Sequence, residues 1–518
     1  MAESKAVTVS RISPVRISKD ERRLQLEREA AGDHLYANRV RVYPKTVHGM
    51  VRQIKWAILI ICLTIYYLLP WLRWHRGPGQ PTQAVLLDIS NERFYFFNLE
   101  LWPQDMWLLA GILIMGAVFL FLVTSLFGRL WCGYTCPQTV WTDLFMWVEQ
   151  WVEGDRHERM QRDAAPSNAD TIWKKFLKHA IWFAIAFWTG GAWIMYYVDA
   201  PTVTVEFWTG QASNQVYFFT ALFTLTTYVL AGWAREQVCT FMCPWPRFQS
   251  AMLDDQSFTV TYQGWRGEPR TRGKRVAGGL PVGAPLGAPV GPRVGDCVDC
   301  GACVTACPTG IDIRDGIQLE CINCGLCIDA CNHVMERTHQ DKWLITWDTL
   351  AQQSAKKAGR HEPIKLVRPR TIIYISVLLI AMTGLIVALV TRSTMGLSVE
   401  RDRAPLFVPL ADGSIRNGYT IKILNKTQLH AAFDLTVNGL PDATLVVAEG
   451  DPKPVSALRM LSASDEVDTF RVLVTARPDS LKDGSEPVDF VLSDTATGKQ
   501  TIYHSTFMGP PGYAGRKP

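Results

Sequence analysis

Eight of the thirteen cysteines lie within thirty-five residues and form two runs with the same spacing, C-x2-C-x2-C-x3-C. The first run consists of Cys297, Cys300, Cys303 and Cys307, and the second of Cys321, Cys324, Cys327 and Cys331. This spacing is typical of chains that hold two 4Fe-4S clusters, in which the fourth cysteine of each run binds the other cluster. The predicted ligands are therefore Cys297, Cys300, Cys303 and Cys331 for one cluster, and Cys321, Cys324, Cys327 and Cys307 for the second.

Zinc binding and disulfide formation are alternatives, because C-x2-C pairs also bind zinc and small cysteine-rich modules are often bridged. Neither alternative explains two runs of four cysteines with one period. Pro308 follows the first run, as in simple ferredoxins, whereas Asn332 follows the second run where those proteins have proline. The ligand set is complete, so we expect a bacterial-type two-cluster ferredoxin module with an altered turn after Cys331.

A second cysteine pattern, C-x3-C-P, occurs twice, at Cys132 and Cys136 and again at Cys239 and Cys243. Each copy follows a long apolar segment, and its proline interrupts a helix where ligands need irregular backbone. Four converging thiols could hold a further iron-sulfur cluster or a soft ion such as Cu(I), or could act as a dithiol/disulfide relay. They could also be ordinary small residues of membrane helices. Because spacing, proline and position all recur, we interpret them as a candidate copper or redox site.

Five uncharged apolar segments are each about 17 to 22 residues long, near the length needed to cross a membrane. They are residues 56–72, 106–127, 180–198, 216–234 and 371–390. The first fifty residues are polar and charged, unlike a cleavable signal peptide, so the first apolar segment is interpreted as an anchor. We therefore predict a multidomain membrane protein with a five-helix α transmembrane region.

Lysine and arginine are unevenly distributed around these segments. Residues 1–55 carry twelve, whereas the loops 73–105 and 199–214 carry three and none. Because positive residues concentrate on the cytoplasmic side, we expect a cytoplasmic N-terminus. Five crossings then place residues 391–518 outside. The net charge of +5 reflects this bias and does not indicate a nucleic-acid partner.

The distribution of cysteines agrees with this orientation. Cys62 lies inside the first apolar segment, and every other cysteine lies in a predicted cytoplasmic segment or at its membrane boundary. The predicted external segments contain no cysteine. This pattern fits thiols that are kept reduced in the cytoplasm and an external domain without disulfides.

Changes in composition divide the chain into seven segments. They are an N-terminal cytoplasmic segment, 1–55; a membrane domain with four spans and both C-x3-C-P repeats, 56–265; a Gly/Pro linker, 266–295; the ferredoxin module, 296–335; a cytoplasmic connector, 336–370; a fifth transmembrane helix, 371–390; and an external domain, 391–518. The linker is interpreted as a mobile tether that lets the ferredoxin module approach the C-x3-C-P thiols. A helix is predicted around residues 345–357.

The last segment alternates apolar and polar residues in short runs separated by turn residues. These runs are 420–424, 432–437, 444–447, 469–475, 488–492 and 501–504. Such spacing is typical of an all-β sandwich. The domain contains nothing that resembles a catalytic cluster, so we interpret it as a docking or stabilising module. The loop 73–105 shows a similar strand-like alternation.

Together these motifs resemble the FixG/CcoG family of membrane-bound polyferredoxins. The resemblance rests on VRVYPKTVHG before the first apolar segment, LLDISNERFYFFNLELWPQD after it, both C-x3-C-P repeats, and CPTGIDIRDGIQLECINCGLCIDAC. The cysteine-rich segment is the most diagnostic of them. The resemblance implies a multi-pass protein of the bacterial inner membrane, with cytoplasmic clusters and a periplasmic immunoglobulin-like C-terminal domain.

The resemblance further implies a role in assembling the cbb-type cytochrome c oxidase. The expected activity passes electrons through two 4Fe-4S clusters and reduces the substrate Cu(II) to Cu(I) in the cytoplasm. The expected partners are membrane lipid, an unknown electron donor, a copper-exporting P-type ATPase and oxidase assembly factors. The sequence itself supports one part of this expected activity, because thiolates at the C-x3-C-P repeats would favour the product Cu(I) over Cu(II).

Two other functions fit the same motifs. One is a quinol-linked ferredoxin relay, as in related C-x3-C-P membrane proteins of periplasmic nitrate and nitrous-oxide reduction. The other is a non-enzymatic scaffold, in which the clusters sense redox state and the external domain recruits oxidase subunits. A redox change of the clusters that depends on quinone and not on copper favours the first. Failure of Cu(I) to rescue oxidase assembly by a stable variant without Cys297 favours the second.

Overall fold

The computed structural model describes residues 41–510 except 78–79, 271–294, 428–429, 449–452, 465, 478–479 and 482–483. The predicted N-terminal segment up to residue 40 and most of the predicted linker therefore lie outside the described residues. The chain divides into two units. One contains the described residues up to 63 with 123–190 and 221–368, and the other contains 64–122, 191–220 and the residues from 369 onward. All thirteen cysteines belong to the first unit.

The described α-helices are short near the cysteines and long where the sequence is apolar. In chain order they are α1 (Met50–Leu68), α2 (Met106–Phe127), α3 (Leu130–Tyr134), α4 (Pro137–Glu153), α5 (Arg156–Ala164), α6 (Ala169–Ile194), α7 (Ala200–Thr209), α8 (Asn214–Thr227), α9 (Trp245–Met252), α10 (Gly264–Gly267), α11 (Ala302–Ala306), α12 (Leu326–Arg337), α13 (Leu350–Lys357) and α14 (Pro369–Val390). Two π-helices cover Tyr228–Ala234 and Val238–Met242, and 3-10 turns cover Leu69–Trp71, Pro103–Asp105 and Ile313–Asp315.

Four described helical segments are long and apolar enough to cross a membrane. They are Met50–Trp71, Pro103–Phe127, Asn214–Ala234 and Pro369–Val390. They coincide with four of the five predicted apolar segments, and α14 is largely exposed along its length, as expected of a helix that faces lipid. The remaining segment, 180–198, lies mostly in α6, which is helical but begins with a basic stretch and is not one of the four.

Helices α4, α5 and α6 are joined by a buried ion network around Glu149. Its carboxylate is fully buried and lies 3.2 Å from Arg159, 2.8 Å from Arg235 and 3.6 Å from Lys178. Lys178 also contacts Glu153 at 2.8 Å. A buried carboxylate surrounded by cations is stable only while its partners are present, so this network fixes how the three helices pack.

The ferredoxin module contains a strand pair that the sequence analysis missed. Strand β4 (Thr259–Tyr262) pairs antiparallel with β5 (Ile345–Asp348), with Thr259 opposite Asp348 and Tyr262 opposite Ile345. The predicted helix over 345–357 is therefore wrong for its first residues. The run Ile-Thr-Trp suits a strand, and α13 begins only after Thr349, whose side chain caps the Gln352 amide.

The two ends of the predicted linker lie beside each other. The Gly295 amide donates to the Pro269 carbonyl at 3.0 Å, and the Asp296 amide donates to the Arg266 carbonyl at 2.9 Å. The Arg266 guanidinium also pairs with the Asp296 carboxylate. The chain therefore leaves and re-enters the module at one place. The module is attached through the β4–β5 pair as well as through the predicted flexible tether.

The second unit contains two separate β structures. A three-stranded antiparallel meander, β1 (Val85–Asp88), β2 (Arg93–Phe96) and β3 (Leu99–Leu101), accounts for the alternation in the loop 73–105. The C-terminal region forms one sheet in the order β10-β12-β8-β6, with β7 beside β8, and another in the order β11-β9-β13-β14. The strands are β6 (Met395–Arg401), β7 (Val408–Pro409), β8 (Ile415–Asn425), β9 (Ala431–Asn438), β10 (Thr444–Val447), β11 (Ala457–Ser462), β12 (Glu466–Ala476), β13 (Ser485–Asp494) and β14 (Gln500–Met508).

Both sheets contribute to one apolar core, which includes Tyr419, Ile421, Leu435, Phe490 and Phe507. All six predicted strands of this region are present. Strands β6, β7 and β11 were not predicted, because charged residues or proline interrupt their short apolar alternation. The all-β sandwich expected from the sequence is confirmed.

Candidate iron-sulfur and thiol site

The two cysteine runs share one local backbone conformation. In each run a residue with positive φ precedes the second cysteine and a glycine with positive φ follows it, namely Asp299 (48°) and Gly301 (66°), then Asn323 (55°) and Gly325 (72°). The glycines provide the left-handed conformation at low cost and begin a helix immediately afterward. The third cysteine of each run thus lies in the first turn of α11 or α12.

The first site, as we call it, is a cavity lined by Cys297, Cys300, Cys303 and Cys331. Three of these cysteines come from the first run and one comes from α12 of the second run. Tyr262, Arg314, Met335, Leu344 and Ile345 complete its lining. Cys300 is exposed, whereas the other three are buried, so this site reaches the protein surface on one side.

The second site is a cavity lined by Cys307, Cys321, Cys324 and Cys327, with Cys303 at its edge. Apolar side chains of Val260, Ile311, Ile313 and Ile322 surround the thiols. Here again one cysteine comes from the opposite run. Each site therefore gathers the four soft sulfur donors that a 4Fe-4S cluster needs, and the residues present fit two such clusters.

Burial controls the protonation of these thiols. It raises the pKa of Cys321 and of Cys331 to about 12, and it raises the pKa of Cys324 and Cys327 as well. Among the described residues, no three Cys, His, Asp or Glu side chains form a group that could hold a single metal ion. Binding of iron to these sites must release protons, because only thiolates act as ligands.

The C-x3-C-P cysteines lie at helix ends beside this module. Cys132 lies in α3, Cys136 immediately precedes α4, and Cys239 lies in the π-helix Val238–Met242, which ends at the exposed Cys243. Burial, together with the neighbouring Cys136, raises the pKa of Cys132 and of Cys239 to about 12. Cys136 is thus a neighbour of both Cys132 and Cys239, and Cys243 is a neighbour of Cys239.

Cys132 joins the two cysteine systems. It packs against the small apolar core formed by Ile322, Cys324 and Leu326, directly on the second run. Its thiol donates a hydrogen bond to the Gln249 side-chain oxygen at 3.2 Å. The next residue, Gly133, approaches so closely that a Cβ atom there would lie 2.7 Å from the Ile322 carbonyl oxygen.

Arg129 is a functional candidate that the sequence analysis missed. It is 5% exposed, and its guanidinium donates to the carbonyls of Leu319, Cys321 and Pro246, the last two at 3.2 and 2.7 Å. It therefore joins the second cysteine run to the segment after Cys243. In the sequence it looked like an ordinary basic residue at the end of a membrane span.

Cys239 lines a cavity that adjoins the second site. Lys55, Arg235, Pro308, Thr309 and Ile322 are among its neighbours there. Thr309 and Ile322 also line the second site, so the two cavities share these side chains. Lys55 is 2% exposed although it belongs to α1, and its ammonium lies 3.6 Å from Asp143.

Comparison with known proteins agrees with this architecture. A 4Fe-4S dicluster domain matches residues 234–350, a 4Fe-4S binding domain matches 108–155, and the Ig-like fold at the C-terminus of FixG matches 385–510. The nitrogen fixation protein FixG of Rhizobium meliloti is 44% identical over 513 residues, covering 93% of this chain and 95% of the relative. The chain belongs to the FixG family. Protein RdxB of Cereibacter sphaeroides is also similar, with 43% identity over an alignment that covers 92% of this chain and 98% of RdxB.

A solved structure of a FixG-related protein from Vibrio parahaemolyticus also matches, with 28% identity and a TM-score of 0.19, over 22% of this chain and 96% of that one. Membership of the FixG family, together with the 4Fe-4S domains, identifies the chain as an iron-sulfur redox protein. The four apolar helices associate it with a membrane. Its C-terminal sandwich is the Ig-like domain of FixG proteins.

Proposed function

We propose that this protein is a membrane-bound electron relay in which two 4Fe-4S clusters serve the C-x3-C-P thiols. Cys297, Cys300, Cys303 and Cys331 hold one cluster, and Cys321, Cys324, Cys327 and Cys307 hold the other. The crossed assignment is supported by the two cavities, each of which takes its fourth cysteine from the opposite run. Such clusters supply one electron at a time.

The observation that carries this proposal is the contact of Cys132 with the second cysteine run. Cys132 lies against Ile322 and Cys324, and the cavity lined by Cys239 shares side chains with the same site. The module is already docked on the helices that bear these thiols, so electrons need no domain movement to reach them. The segment from Arg129 to Tyr134 maintains this contact, since the Tyr134 hydroxyl also donates to the Cys324 carbonyl at 3.1 Å.

We further propose that the terminal acceptor is Cu(II). A low-potential one-electron donor gives up one electron, and Cu(II) gains it and becomes Cu(I). The thiols of Cys132, Cys136, Cys239 and Cys243 bind the product, because sulfur ligands favour Cu(I). In this role the protein supports assembly of a cbb-type cytochrome c oxidase, with a copper-exporting P-type ATPase and oxidase assembly factors as partners. The support for copper is the family resemblance.

For the membrane arrangement we propose five crossings of the bacterial inner membrane, with α6 as the third span. The N-terminus and both clusters then lie in the cytoplasm and the Ig-like domain in the periplasm. The distribution of lysine and arginine supports this orientation, as does the location of every cysteine in one of the two units. Reporter fusions after residues 153, 210 and 510 test it, and a periplasmic reporter after 153 contradicts it.

Metal analysis of anaerobically purified protein tests the relay. Two clusters predict about eight irons and eight sulfides per chain. Titration with Cu(II) is then expected to remove the EPR signal of the reduced clusters and to produce Cu(I) in equal amount. Clusters that stay reduced in the presence of Cu(II) contradict the copper proposal but not the relay.

A quinol-linked relay is the second candidate, and one observation favours it. The match to a 4Fe-4S binding domain over residues 108–155 includes Cys132 and Cys136. A third cluster at the C-x3-C-P thiols would raise the iron content to about twelve per chain. Twelve irons, oxidation of a quinol and indifference to copper would together favour this function.

A further inference from the structure

The two cluster sites differ in the charges that surround them. At the first site, the Arg314 side chain is 2% exposed and pairs with two carboxylates, Asp299 at 2.7 Å and Asp312 at 2.5 Å. The positive charge beside Cys303 is therefore more than balanced by its own partners. An electron added to a cluster at this site gains little from Arg314.

At the second site, by contrast, cations outnumber carboxylates. Lys55 and Arg52 share a single carboxylate, Asp143, at 3.6 and 2.8 Å. Arg129, on the other side, donates to carbonyl oxygens, and Glu320 adds only a longer-range attraction. A second buried carboxylate, Asp329, lies nearby and accepts from the amides of Val51 and Arg52, so three cations at this site face two buried carboxylates.

These cations are close enough to act on the sulfur atoms. Lys55 lines a cavity together with Thr309 and Ile322, and these two residues also line the second site. The Arg129 guanidinium donates to the carbonyl oxygen of the proposed ligand Cys321 at 3.2 Å. Both cations come from the membrane helices or their ends, on the side where Cys132 and Cys239 lie.

We propose that Lys55 and Arg129 set the direction of electron flow by holding the reduction potential at the second site above that at the first. A positive charge in a low-dielectric environment stabilises an added electron, and net charge is one of the factors that set cluster potentials. This inference rests on the proposed function, because it presumes a cluster at each site. Lys55 and Arg129 are positioning residues in this scheme, since they act through the cluster ligands.

Exposure of the two sites agrees with this direction. The first site reaches the surface at Cys300, where a soluble one-electron donor has access, while Cys324 of the second site is buried and packs with Cys132. One electron leaves the first site and one arrives at the second, without proton transfer or bond formation. A low-potential one-electron donor, such as a reduced ferredoxin or flavin, replaces the electron at the first site.

The test is a potentiometric titration followed by EPR on full-length protein in detergent. Cys297→Ser and Cys321→Ser, each of which removes one cluster, assign the two signals. In the unmodified protein, we expect the cluster that depends on Cys321 to have the higher potential. Arg129→Gln and Lys55→Met are each expected to disfavour its reduction at least tenfold, which is 59 mV for one electron. The other cluster keeps its potential.

Two further variants separate charge from structure. Arg129→Lys keeps the charge and is expected to restore most of the potential. Arg159→Gln removes an equally buried arginine whose partner is Glu149 and is expected to leave both potentials unchanged. If Arg129→Gln loses iron, the potentials of Lys55→Met decide the test. In that variant Asp143 still pairs with Arg52, so no buried carboxylate is left without a cation.

A reversed order of potentials, or unchanged potentials in both charge variants, overturns the inference. Iron analysis of the same samples distinguishes this failure from failure of the relay itself. Absence of clusters from the unmodified protein contradicts the proposed function, whereas clusters that ignore Lys55 and Arg129 contradict only the direction.

Discussion

The carboxylate of Asp329 accepts a hydrogen bond from the backbone amide of Arg52 at 2.8 Å. Its other oxygen accepts from the Val51 amide at 3.3 Å. Asp329 lies on α12 between Cys327 and Cys331, so the ferredoxin module caps the N-terminus of the first membrane helix. An acidic group at this position satisfies unpaired amides and complements the helix dipole.

Replacement of this cap has a defined cost. Asp329→Ala is expected to lower the free energy of unfolding by about 1–2 kcal/mol, the usual value for loss of a helix cap. Thermal unfolding in detergent, followed by loss of cluster absorbance, measures it. Asp434→Ala removes a carboxylate paired with Arg459 at the surface and serves as the control, with no comparable loss of stability expected. Equal effects of both variants would contradict the capping role.

Close packing of Gly133 on the second cysteine run gives a second prediction. A Cβ at this position would lie 2.7 Å from the Ile322 carbonyl oxygen and 3.1 Å from the Cys324 Cα, both backbone atoms that cannot rotate away. Gly133→Ala is therefore expected to displace this loop and to lower the iron content from about eight to about four per chain. Gly116→Ala, with no atom within 4 Å of its Cβ, is expected to keep all the iron.

The crossed ligand assignment predicts which cysteine variants resemble each other. Cys331→Ser is expected to remove the same EPR signal as Cys297→Ser, because both line the first site. Cys307→Ser is expected to remove the same signal as Cys321→Ser. If Cys307→Ser instead resembles Cys297→Ser, each run holds its own cluster and the assignment is wrong.

The ion network around Glu149 predicts a large effect on stability. Glu149→Gln leaves three buried cations, Arg159, Lys178 and Arg235, without their shared partner. Removal of one member of a buried ion network typically costs about 3–5 kcal/mol. Chemical denaturation in mixed micelles measures it. Glu400→Gln, which breaks the exposed pair with Lys422, is the control and is expected to change stability by less than about 1 kcal/mol.

The same carboxylate predicts a pH dependence. Burial alone would raise the pKa of Glu149, but the charges of Arg235, Lys178, Arg159 and Arg41 outweigh it and lower the pKa. Because the folded pKa lies below the unfolded value of about 4.3, the stabilisation is complete above that pH and is lost as the pH falls through the folded pKa. The stability difference between the unmodified protein and Glu149→Gln should be constant from about pH 5.5 to 8 and shrink only in acid. A stability difference that already shrinks at neutral pH would contradict a lowered pKa of Glu149.

Local patterns in the sequence were sufficient to predict the cysteine motifs, four membrane helices and most strands of the sandwich. Each depends on residues that are close in the chain, such as the fixed gaps between cysteines or the alternation from Thr420 to Leu424. The β4–β5 pair was missed because its strands are four residues long and lie on opposite sides of the linker.

Residues that connect the module to the membrane helices could not be found from local patterns. Lys55 and Arg129 look like interfacial basic residues, and Asp329 looks like a surface residue of a short helix. Their roles depend on contacts between distant positions: Arg129 and Cys321 are 192 residues apart in the chain, and Val51 and Asp329 are 278 apart. Such contacts leave no periodic trace in one sequence.

Because the chain returns to Pro269 at Gly295, residues 271–294 bridge two points that are already hydrogen-bonded to each other. The β4–β5 pair would still join the two parts if the peptide chain were cut between them. A split gene that encodes residues 1–280 and 281–518 as separate polypeptides should therefore yield fragments that complement each other in one membrane. The same position is also suited to the insertion of an affinity tag or a fluorescent protein, with the iron-sulfur centres left intact.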